Sequence, residues 1–235
     1  MVETVRERIP DGAEEGASYY PVFLDVRGRT ALVVGGGAVA ERKAAGLARA
    51  GACVRVVAPT VTAGLEAQAR DGLVDLRCRA FRENDVEGVF LVYAATDDAA
   101  VNEAVYAEAE ARGVPANVVD DPAHCSFIVP SVVRRGPLQL AVSTSGAAPV
   151  LAKRLRRELE GRFPEDWAVY VDLLAEVRAL VRSRMAGGEA ERAPVLEAAC
   201  DLGVLERLRA GERLDAEAVY AEALRATRAG AGDGR

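Results

Sequence analysis

A run of three glycines, Gly35, Gly36 and Gly37, is the stretch whose residue types and spacing could do chemistry. It follows the apolar run at residues 31–34 and precedes an alanine-rich segment with helical spacing, which predicts a strand, a turn and a helix. With Ala40 the glycines fit the spacing G-x-G-x-x-A, in which a pyrophosphate approaches the bare backbone and meets free helix N–H groups. The pattern predicts a dinucleotide site, although a strand-to-helix turn that binds nothing has the same spacing.

The end of the second predicted strand, at residues 53–58, lacks one feature of a conventional NAD site. Such a site has Asp or Glu about 20 residues beyond the glycines, where the carboxylate binds the adenosine ribose. This strand ends instead in Ala58, Pro59 and Thr60, and no arginine for a 2′-phosphate is evident there. Either backbone groups and the Thr60 hydroxyl bind the ribose, or the site is not for NAD.

Strands and helices alternate up to Asp120. Further strands are predicted at residues 74–80, 89–95 and 115–120, and helices at 62–70 and 99–112. This alternation predicts an α/β fold with a Rossmann-like parallel sheet, whose ligands bind beyond the carboxyl ends of the strands. The strand ends at residues 35–37, 95–97 and 119–122 then border the crevice. Asp120 is expected to face the crevice, unless it only forms the turn before Asp121 and Pro122.

The alternation stops after Asp120, and the rest of the chain predicts a hairpin followed by helices. The hairpin strands are at residues 127–133 and 138–143, and the helices at 150–162, 166–184, 191–209 and 215–228. Because these parts show no obvious closed core of their own, we expect them to pack on a second copy of the chain. The predicted organisation is a flexible leader at 1–18, an NAD-binding Rossmann domain at 19–116, a dimerisation hairpin region at 117–149, a helical domain at 150–228 and a flexible tail at 229–235.

The composition of the 235 residues disfavours several classes of protein. A net charge of −6, with acidic and basic residues interspersed, argues against a general nucleic-acid binder. No stretch approaches the roughly 18 apolar residues of a membrane span, and no signal peptide is evident, so a soluble protein is expected. Cys53, Cys78, Cys125 and Cys200 lack C-x-x-C spacing, which favours a reducing cytoplasm, and two of them are expected as small apolar strand residues. His124 is the only histidine, so no dedicated metal site is predicted.

A Ser/Thr loop followed by basic residues forms a second candidate site. The loop residues are Ser143, Thr144 and Ser145, and the basic residues are Lys153, Arg154, Arg156 and Arg157. The functional interpretation is an anion-binding helix start, with further donors from the loop. The alternative is a solvated helix face on which Glu158 and Glu160 balance the basic charges.

Four segments together resemble one family. They are Y-P-V-F at 20–23, V-V-G-G-G-A-V-A-E-R-K at 33–43, N-V-V-D at 117–120 with S-F-I-V-P-S at 126–131, and A-V-S at 141–143 with S-G at 145–146 and P-V-L-A at 149–152. In order and spacing they resemble the siroheme synthase dehydrogenase/ferrochelatase module over about residues 19–160.

This resemblance implies oxidation of precorrin-2 to sirohydrochlorin with NAD⁺ and, in some members of the family, Fe²⁺ insertion to give siroheme. It also implies an intertwined homodimer with a dimerisation hairpin and a helical domain. Asp120, the last residue of N-V-V-D, matches the family's catalytic aspartate and could also take part in Fe²⁺ insertion, with His124 behind it.

The cofactor-binding and substrate-binding residues also follow from the resemblance. NAD contacts match the residues after the glycines and after the second strand, which would explain the missing ribose carboxylate. The predicted cofactor set is Gly35, Gly36, Gly37, Ala38, Val39, Pro59, Thr60 and Thr96. Because the substrate carries many carboxylates, Ser143, Thr144, Ser145, Lys153 and Arg154 are the candidate substrate contacts.

Three other functions stay open at this stage. One is a dehydrogenase of another substrate. A second is a non-catalytic nucleotide-sensing module, such as the regulatory Rossmann domains of ion transporters, which would give Asp120 no special role and leave the hairpin unexplained. A purely structural dimerisation protein would leave the three consecutive glycines without a function.

Overall fold

Valine-rich runs form the strands of a five-stranded parallel sheet. The structure of the chain, a computed structural model, describes residues 19–232. The strands are β1 (Thr30–Val34), β2 (Cys53–Ala58), β3 (Val74–Cys78), β4 (Leu91–Ala94) and β5 (Ala116–Val118). They lie in the order β3-β2-β1-β4-β5, with every neighbouring pair parallel. All four residues of β4 and all three of β5 are buried, as expected for a sheet covered on both faces.

Helices α1 (Ala38–Arg49), α2 (Ala63–Arg70) and α3 (Ala99–Ala111) connect and cover these strands. β1 shows how both faces are used, because alternate residues belong to different hydrophobic clusters. Ala31 and Val33 pack with residues of α1, whereas Leu32 and Val34 pack with residues of α3. The α/β, Rossmann-like class predicted from the sequence is therefore confirmed.

The chain forms two compact units, of which the first ends at Val129 and the second begins at Pro130. The second unit contains the antiparallel hairpin of β6 (Ser131–Arg135) and β7 (Leu138–Val142) and five helices. The helices are α4 (Pro149–Arg162), α5 (Asp166–Arg184), α6 (Glu189–Asp201), α7 (Val204–Arg209) and α8 (Ala216–Gly232).

The four helices from α5 onwards have a hydrophobic core of their own. Tyr170, Leu173, Val177 and Val181 of α5 recur at helical spacing and are buried against residues of α6, α7 and α8. The expectation that these helices lack a closed core is thus wrong. Their apolar residues are spread over several short helices, and the stripe is conspicuous only in α5.

Boundaries between the elements differ from the prediction at the end of the sheet. The fifth strand stops at Val118 rather than at Asp120, because Asp120 has a positive φ of 62° and turns the chain. β6 begins at Ser131 rather than at residue 127, because residues 125–127 are hydrogen-bonded to β5. These bonds also explain why the first unit extends beyond the predicted boundary at residue 116.

Two helical predictions also need correction. The helix predicted at residues 191–209 is two helices, because Gly203 has a φ of 62° and separates α6 from α7. α8 continues to Gly232, so the predicted tail at 229–235 begins inside a helix. The predicted leader, residues 1–18, lies outside the described residues.

Cys53 and Cys78 lie in strands, as the sequence predicts, but both are exposed. Cys53 opens β2, and Cys78 ends β3, which is an edge strand. The prediction that strand thiols behave as small apolar residues therefore fails for these two positions.

Candidate cofactor cleft and active site

The glycine turn packs against the backbone of two neighbouring strand ends. A Cβ atom on Gly35 would lie 2.1 Å from the carbonyl oxygen of Ala95, and one on Gly36 would lie 1.8 Å from the carbonyl oxygen of Thr60. Since non-bonded carbon and oxygen atoms cannot approach so closely, any side chain at either position would push the strand ends apart. Glycine is needed at these two positions by the chain's own backbone.

Gly37 differs from the other two glycines, because a Cβ atom there would meet nothing within 4 Å. It is the N-cap of α1, and within residues 19–232 no side chain caps this helix end. The first N–H groups of α1, including those of Ala38 and Val39, therefore have no helical partner and carry the positive end of the helix dipole. This arrangement fits a phosphate of a dinucleotide.

A cleft of about 620 Å³ opens at the carboxyl ends of β1, β2 and β4. Its size is in the range of small-molecule sites. All eight residues of the predicted cofactor set line it: Gly35, Gly36, Gly37, Ala38, Val39, Pro59, Thr60 and Thr96. The structure thus brings these residues together, and the uncapped helix end and the exposed glycine fit NAD.

The loop after β2 is held in place by α1. Thr62 is the N-cap of α2, and its hydroxyl donates to the Glu41 carboxylate at 2.5 Å while its N–H donates to the Gly36 carbonyl at 2.9 Å. Pro59 and Thr60 therefore border the cleft at a fixed place, although no carboxylate is among the residues of β2 and this loop up to Thr62. The Thr60 side chain is exposed.

Thr96 forms hydrogen bonds within the loop after β4 through both its hydroxyl and its backbone. Its hydroxyl lies 2.9 Å from the Asn102 amide oxygen and 3.0 Å from the Asp98 carbonyl oxygen, and the Asn102 amide nitrogen donates to the Thr96 carbonyl at 2.9 Å. The Asp98 carboxylate caps α3. These bonds hold the loop after β4 next to the strand end that packs on the glycine turn.

Asp120 is exposed and lies in a tight turn after β5. Its left-handed backbone conformation is uncommon for a residue other than glycine, although aspartate tolerates it better than most. Cys125 braces the turn from inside, because its Sγ is 3.2 Å from the carbonyl oxygens of both Val118 and Asp121. The Asp120 carboxylate therefore belongs to a turn at the carboxyl edge of the sheet, and Cys125 contacts this turn both before and after Asp120.

Asn117 ties this turn to the sheet, and sequence reasoning missed its role. It is 8% exposed, and its amide donates to the Phe127 carbonyl at 2.9 Å and to the Cys125 Sγ at 3.3 Å. A buried amide must be hydrogen-bonded. The signal in the sequence was a polar residue inside an apolar strand, N-V-V, which predicts a specific bonding role.

His124 follows Asp120 by four residues, and its side chain pairs with Asp121 and Glu103. Its Nδ1 is 2.6 Å from the Asp121 carboxylate, its Nε2 is 3.6 Å from the Glu103 carboxylate, and its ring packs edge-on against Tyr106 at 4.6 Å. The hydrogen bond with Asp121 raises the pKa of His124 and lowers that of Asp121. In the described part of the chain, no group of three or more His, Cys, Asp and Glu side chains could hold a metal ion.

The candidate substrate residues lie in the second unit, whereas the cleft and Asp120 belong to the first. In the loop after β7, the Ser143 hydroxyl accepts from the Ser145 N–H at 3.0 Å, and the Thr144 hydroxyl accepts from the Ala148 N–H at 3.1 Å. Ser145 has a positive φ of 51°. These hydroxyl oxygens therefore stabilise the loop itself.

The basic residues of α4 divide into paired and unpaired ones. Arg154 pairs with Glu158 at 3.1 Å, and Arg156 pairs with Glu160, as the solvated-face alternative predicts. Lys153 is exposed and has no acidic partner among residues 19–232. Lys153 therefore has the better claim to an anionic ligand than Arg154.

The pairing of His124 predicts a pH-dependent contribution to stability. A raised pKa in the folded state stabilises the protein below the unfolded pKa of about 6.5, and this contribution is lost as the pH rises through the folded pKa. Chemical denaturation of the wild type and of His124→Gln should therefore differ more at about pH 6 than at about pH 9. A difference in the free energy of unfolding that stays constant over this range would contradict the pairing.

Two family models match the chain, one over the parallel sheet and the other over β7 and α4. The family model described as putative NAD(P)-binding matches residues 22–131, and that described as sirohaem biosynthesis protein central matches residues 135–162. Within the described residues, no helix is both long and apolar enough to cross a membrane.

Curated relatives and a solved structure agree with these matches. Siroheme synthase of Nitrosococcus oceani is 42% identical over 206 residues, covering 88% of this chain and 44% of the relative. Siroheme synthase 1 of Serratia proteamaculans is 46% identical over 175 residues, covering 74% of this chain and 37% of the relative. The chain thus spans less than half the length of these curated relatives.

The solved structure of SirC, a precorrin-2 dehydrogenase, is similar over nearly its whole length. The match has a TM-score of 0.70 and 30% sequence identity, and covers 89% of this chain and 99% of that one. It includes both the sheet and the helical part. The chain therefore belongs to the siroheme synthase dehydrogenase module family, with NAD as its cofactor.

Proposed function

We propose that this chain oxidises precorrin-2 to sirohydrochlorin with NAD⁺ as the oxidant, as a step of siroheme biosynthesis. The observation that carries the proposal is Asp120, a carboxylate on a braced turn at the same sheet edge as the cofactor cleft. The names of the relatives, siroheme synthase and precorrin-2 dehydrogenase, supply the substrate.

The reaction removes two hydrogens from the substrate, one as a hydride and one as a proton. When bound, the nicotinamide of NAD⁺ accepts the hydride. The first turn of α1 and Gly37 bind the pyrophosphate through backbone N–H groups, and the Pro59–Thr60 loop binds the adenosine ribose. Asp120 accepts the proton, because its carboxylate is exposed at the sheet edge where the substrate must lie.

Fe²⁺ insertion into sirohydrochlorin, which gives siroheme, is proposed as a second reaction at the same site as the oxidation. Asp120 is the candidate group for it, since the described residues hold no cluster of metal ligands. Iron is then a substrate of the protein. We also propose a cytoplasmic location, which the four free cysteines support.

The second candidate is a non-catalytic nucleotide-sensing module. The cleft and the uncapped helix end fit such a module equally well. It would bind NAD without oxidising precorrin-2. The braced left-handed turn at Asp120 favours the enzyme, because backbone strain of this kind is typical of catalytic sites.

Asp120→Asn tests the enzyme directly. We expect the variant to bind NAD⁺ with unchanged affinity and to form sirohydrochlorin at least about 100-fold more slowly, since it cannot accept a proton. The measurement is an anaerobic spectral assay with enzymatically made precorrin-2, followed by addition of Fe²⁺. Asp121→Asn is the matched control and should keep activity. If the wild type bound NAD⁺ but did not oxidise precorrin-2, the enzyme proposal would fail and the nucleotide-sensing module would be the remaining candidate.

Gly37→Asp tests the cofactor site. Gly37 has an extended backbone with a φ of −84° and open space around its Cβ position, so the substitution should fold normally and even cap α1. Its carboxylate would occupy the phosphate position, and we expect the Kd for NAD⁺ to rise about tenfold or more by calorimetry. Gly37→Ser adds a neutral cap and serves as the control. Unchanged affinity in Gly37→Asp would show that the pyrophosphate binds elsewhere.

A homodimer is part of the proposal. On α4, Val150, Leu151 and Leu155 expose 79%, 47% and 36% of their surfaces, which supports an interface with a second copy of the chain. Val150→Asp should shift the mass in sedimentation velocity from dimer to monomer. Val169→Asp, at an exposed position on α5, should not. A monomeric wild type would contradict the dimer.

A further inference from the structure

The cofactor cleft has an apolar part to which the binding of phosphate and ribose assigns no role. It is lined by Val57, Ala80, Phe81 and Val101. Phe81 and Val101 pack against the same buried cluster of the sheet and α3, yet both are only partly buried themselves. Among the described residues that line the cleft, only Asp97 and Asp98 are charged, and both lie in the loop after β4. An apolar wall of this kind fits a flat, uncharged ring.

The strand order places Phe81 next to the part of the cleft where the adenosine is expected. β2 lies between β1 and β3, and Ala58 at the end of β2 pairs with Cys78 at the end of β3. The segments that follow, Pro59–Thr60 and Ala80–Phe81, therefore leave the sheet side by side. With the pyrophosphate at the glycine turn after β1 and the ribose at Thr60 after β2, the adenine ring reaches the end of β3.

A buried carboxylate holds the loop that carries Phe81. Asp85 is 3% exposed, and Arg79 donates to its two carboxylate oxygens at 2.8 and 2.6 Å. Arg79 also donates to the Ala80 carbonyl at 2.9 Å, and the Arg82 N–H donates to the Asp85 carboxylate at 2.9 Å. The residues on both sides of Phe81 are therefore hydrogen-bonded to this pair. Two parallel bonds between arginine and a carboxylate fix the orientation of both groups.

We propose that the adenine ring of NAD⁺ stacks on Phe81, and that Asp85 is a positioning residue that holds Phe81 at the cleft. The inference rests on the part of the proposed function in which this cleft binds NAD⁺, and it does not depend on the substrate that is oxidised. Stacking of a base on an aromatic side chain contributes substantially to affinity. It compensates here for the carboxylate that a conventional NAD site has at the end of β2 and this chain lacks.

The first test measures the binding of NAD⁺ and of ADP-ribose to Phe81→Ala in the full chain by calorimetry. Both ligands carry the adenine, so we expect both Kd values to rise about tenfold. Phe81→Tyr retains the aromatic face and should stay within about threefold of the wild type. Phe81→Leu retains apolar bulk for the cluster, and its Kd values should lie between those of Phe81→Ala and the wild type.

Phe90→Ala is the matched control for this truncation. Phe90 is also a partly buried phenylalanine, but it precedes β4 at the amino end of the sheet, opposite the cleft. Its Kd values for both ligands should equal those of the wild type. Unchanged Kd values in Phe81→Ala would overturn the inference. So would a loss of affinity for NAD⁺ alone, because that result would place Phe81 at the nicotinamide.

The second test separates positioning by Asp85 from a merely structural role. Asparagine cannot accept from Arg79 through two oxygens, so Asp85→Asn should raise the Kd for NAD⁺ about threefold in the wild-type background. In the Phe81→Ala background it should raise the Kd no further, because Asp85 acts through Phe81. Equal rises in both backgrounds, or none in the wild-type background, would contradict the positioning role.

Two further arrangements keep these outcomes decisive. If Asp85→Asn does not fold, Arg79→Lys replaces it in the same cycle, since lysine retains the charge but cannot form the two parallel bonds. Every readout is an affinity, so precorrin-2 is not needed. If the wild type bound NAD⁺ but did not oxidise precorrin-2, the proposed function would fail, whereas the Kd values would still decide the role of Phe81.

Discussion

The backbone contacts of the glycine turn are the constraint on which the site depends. Gly35 lies against the carbonyl of Ala95 and Gly36 against that of Thr60, so the ends of β1, β2 and β4 are locked together without side chains between them. The turn then leaves Gly37 and the start of α1 open to the cleft. Because no side chain of the described residues caps this helix end, its first N–H groups are available to a phosphate of a dinucleotide.

A second constraint acts at the other end of the crevice, where the chain leaves β5. Asn117 is buried in a strand of three residues, and its side-chain amide donates hydrogen bonds to the Cys125 Sγ and to the Phe127 carbonyl. Cys125 in turn bonds the carbonyls on both sides of Asp120. The N-V-V-D segment is therefore a unit in which the first residue anchors the turn and the last presents a carboxylate. A side chain on an untethered loop could not be held so well for proton transfer.

The sequence allowed the sheet and the cleft to be predicted because both depend on local patterns. Apolar runs, the three glycines and the strand ends indicate the crevice without any knowledge of distant contacts, whereas the family resemblance supplied Ala38, Val39, Pro59 and Thr60 as cofactor contacts. The bracing of the Asp120 turn by Cys125 could not be predicted, although Cys125 is near in sequence, because a hydrogen bond from a thiol to a carbonyl leaves no periodic pattern. The division of one predicted helix at Gly203 was missed for a different reason, since a left-handed glycine leaves the apolar pattern almost unbroken.

The most direct measurement of the central claim is the stoichiometry of a single anaerobic turnover of the wild-type chain with precorrin-2 and NAD⁺. The account predicts that NADH and sirohydrochlorin appear together and in equal amounts, because the hydride leaves to the nicotinamide and the proton to Asp120. Sirohydrochlorin formed without NADH, or NAD⁺ bound with neither product formed, would contradict it.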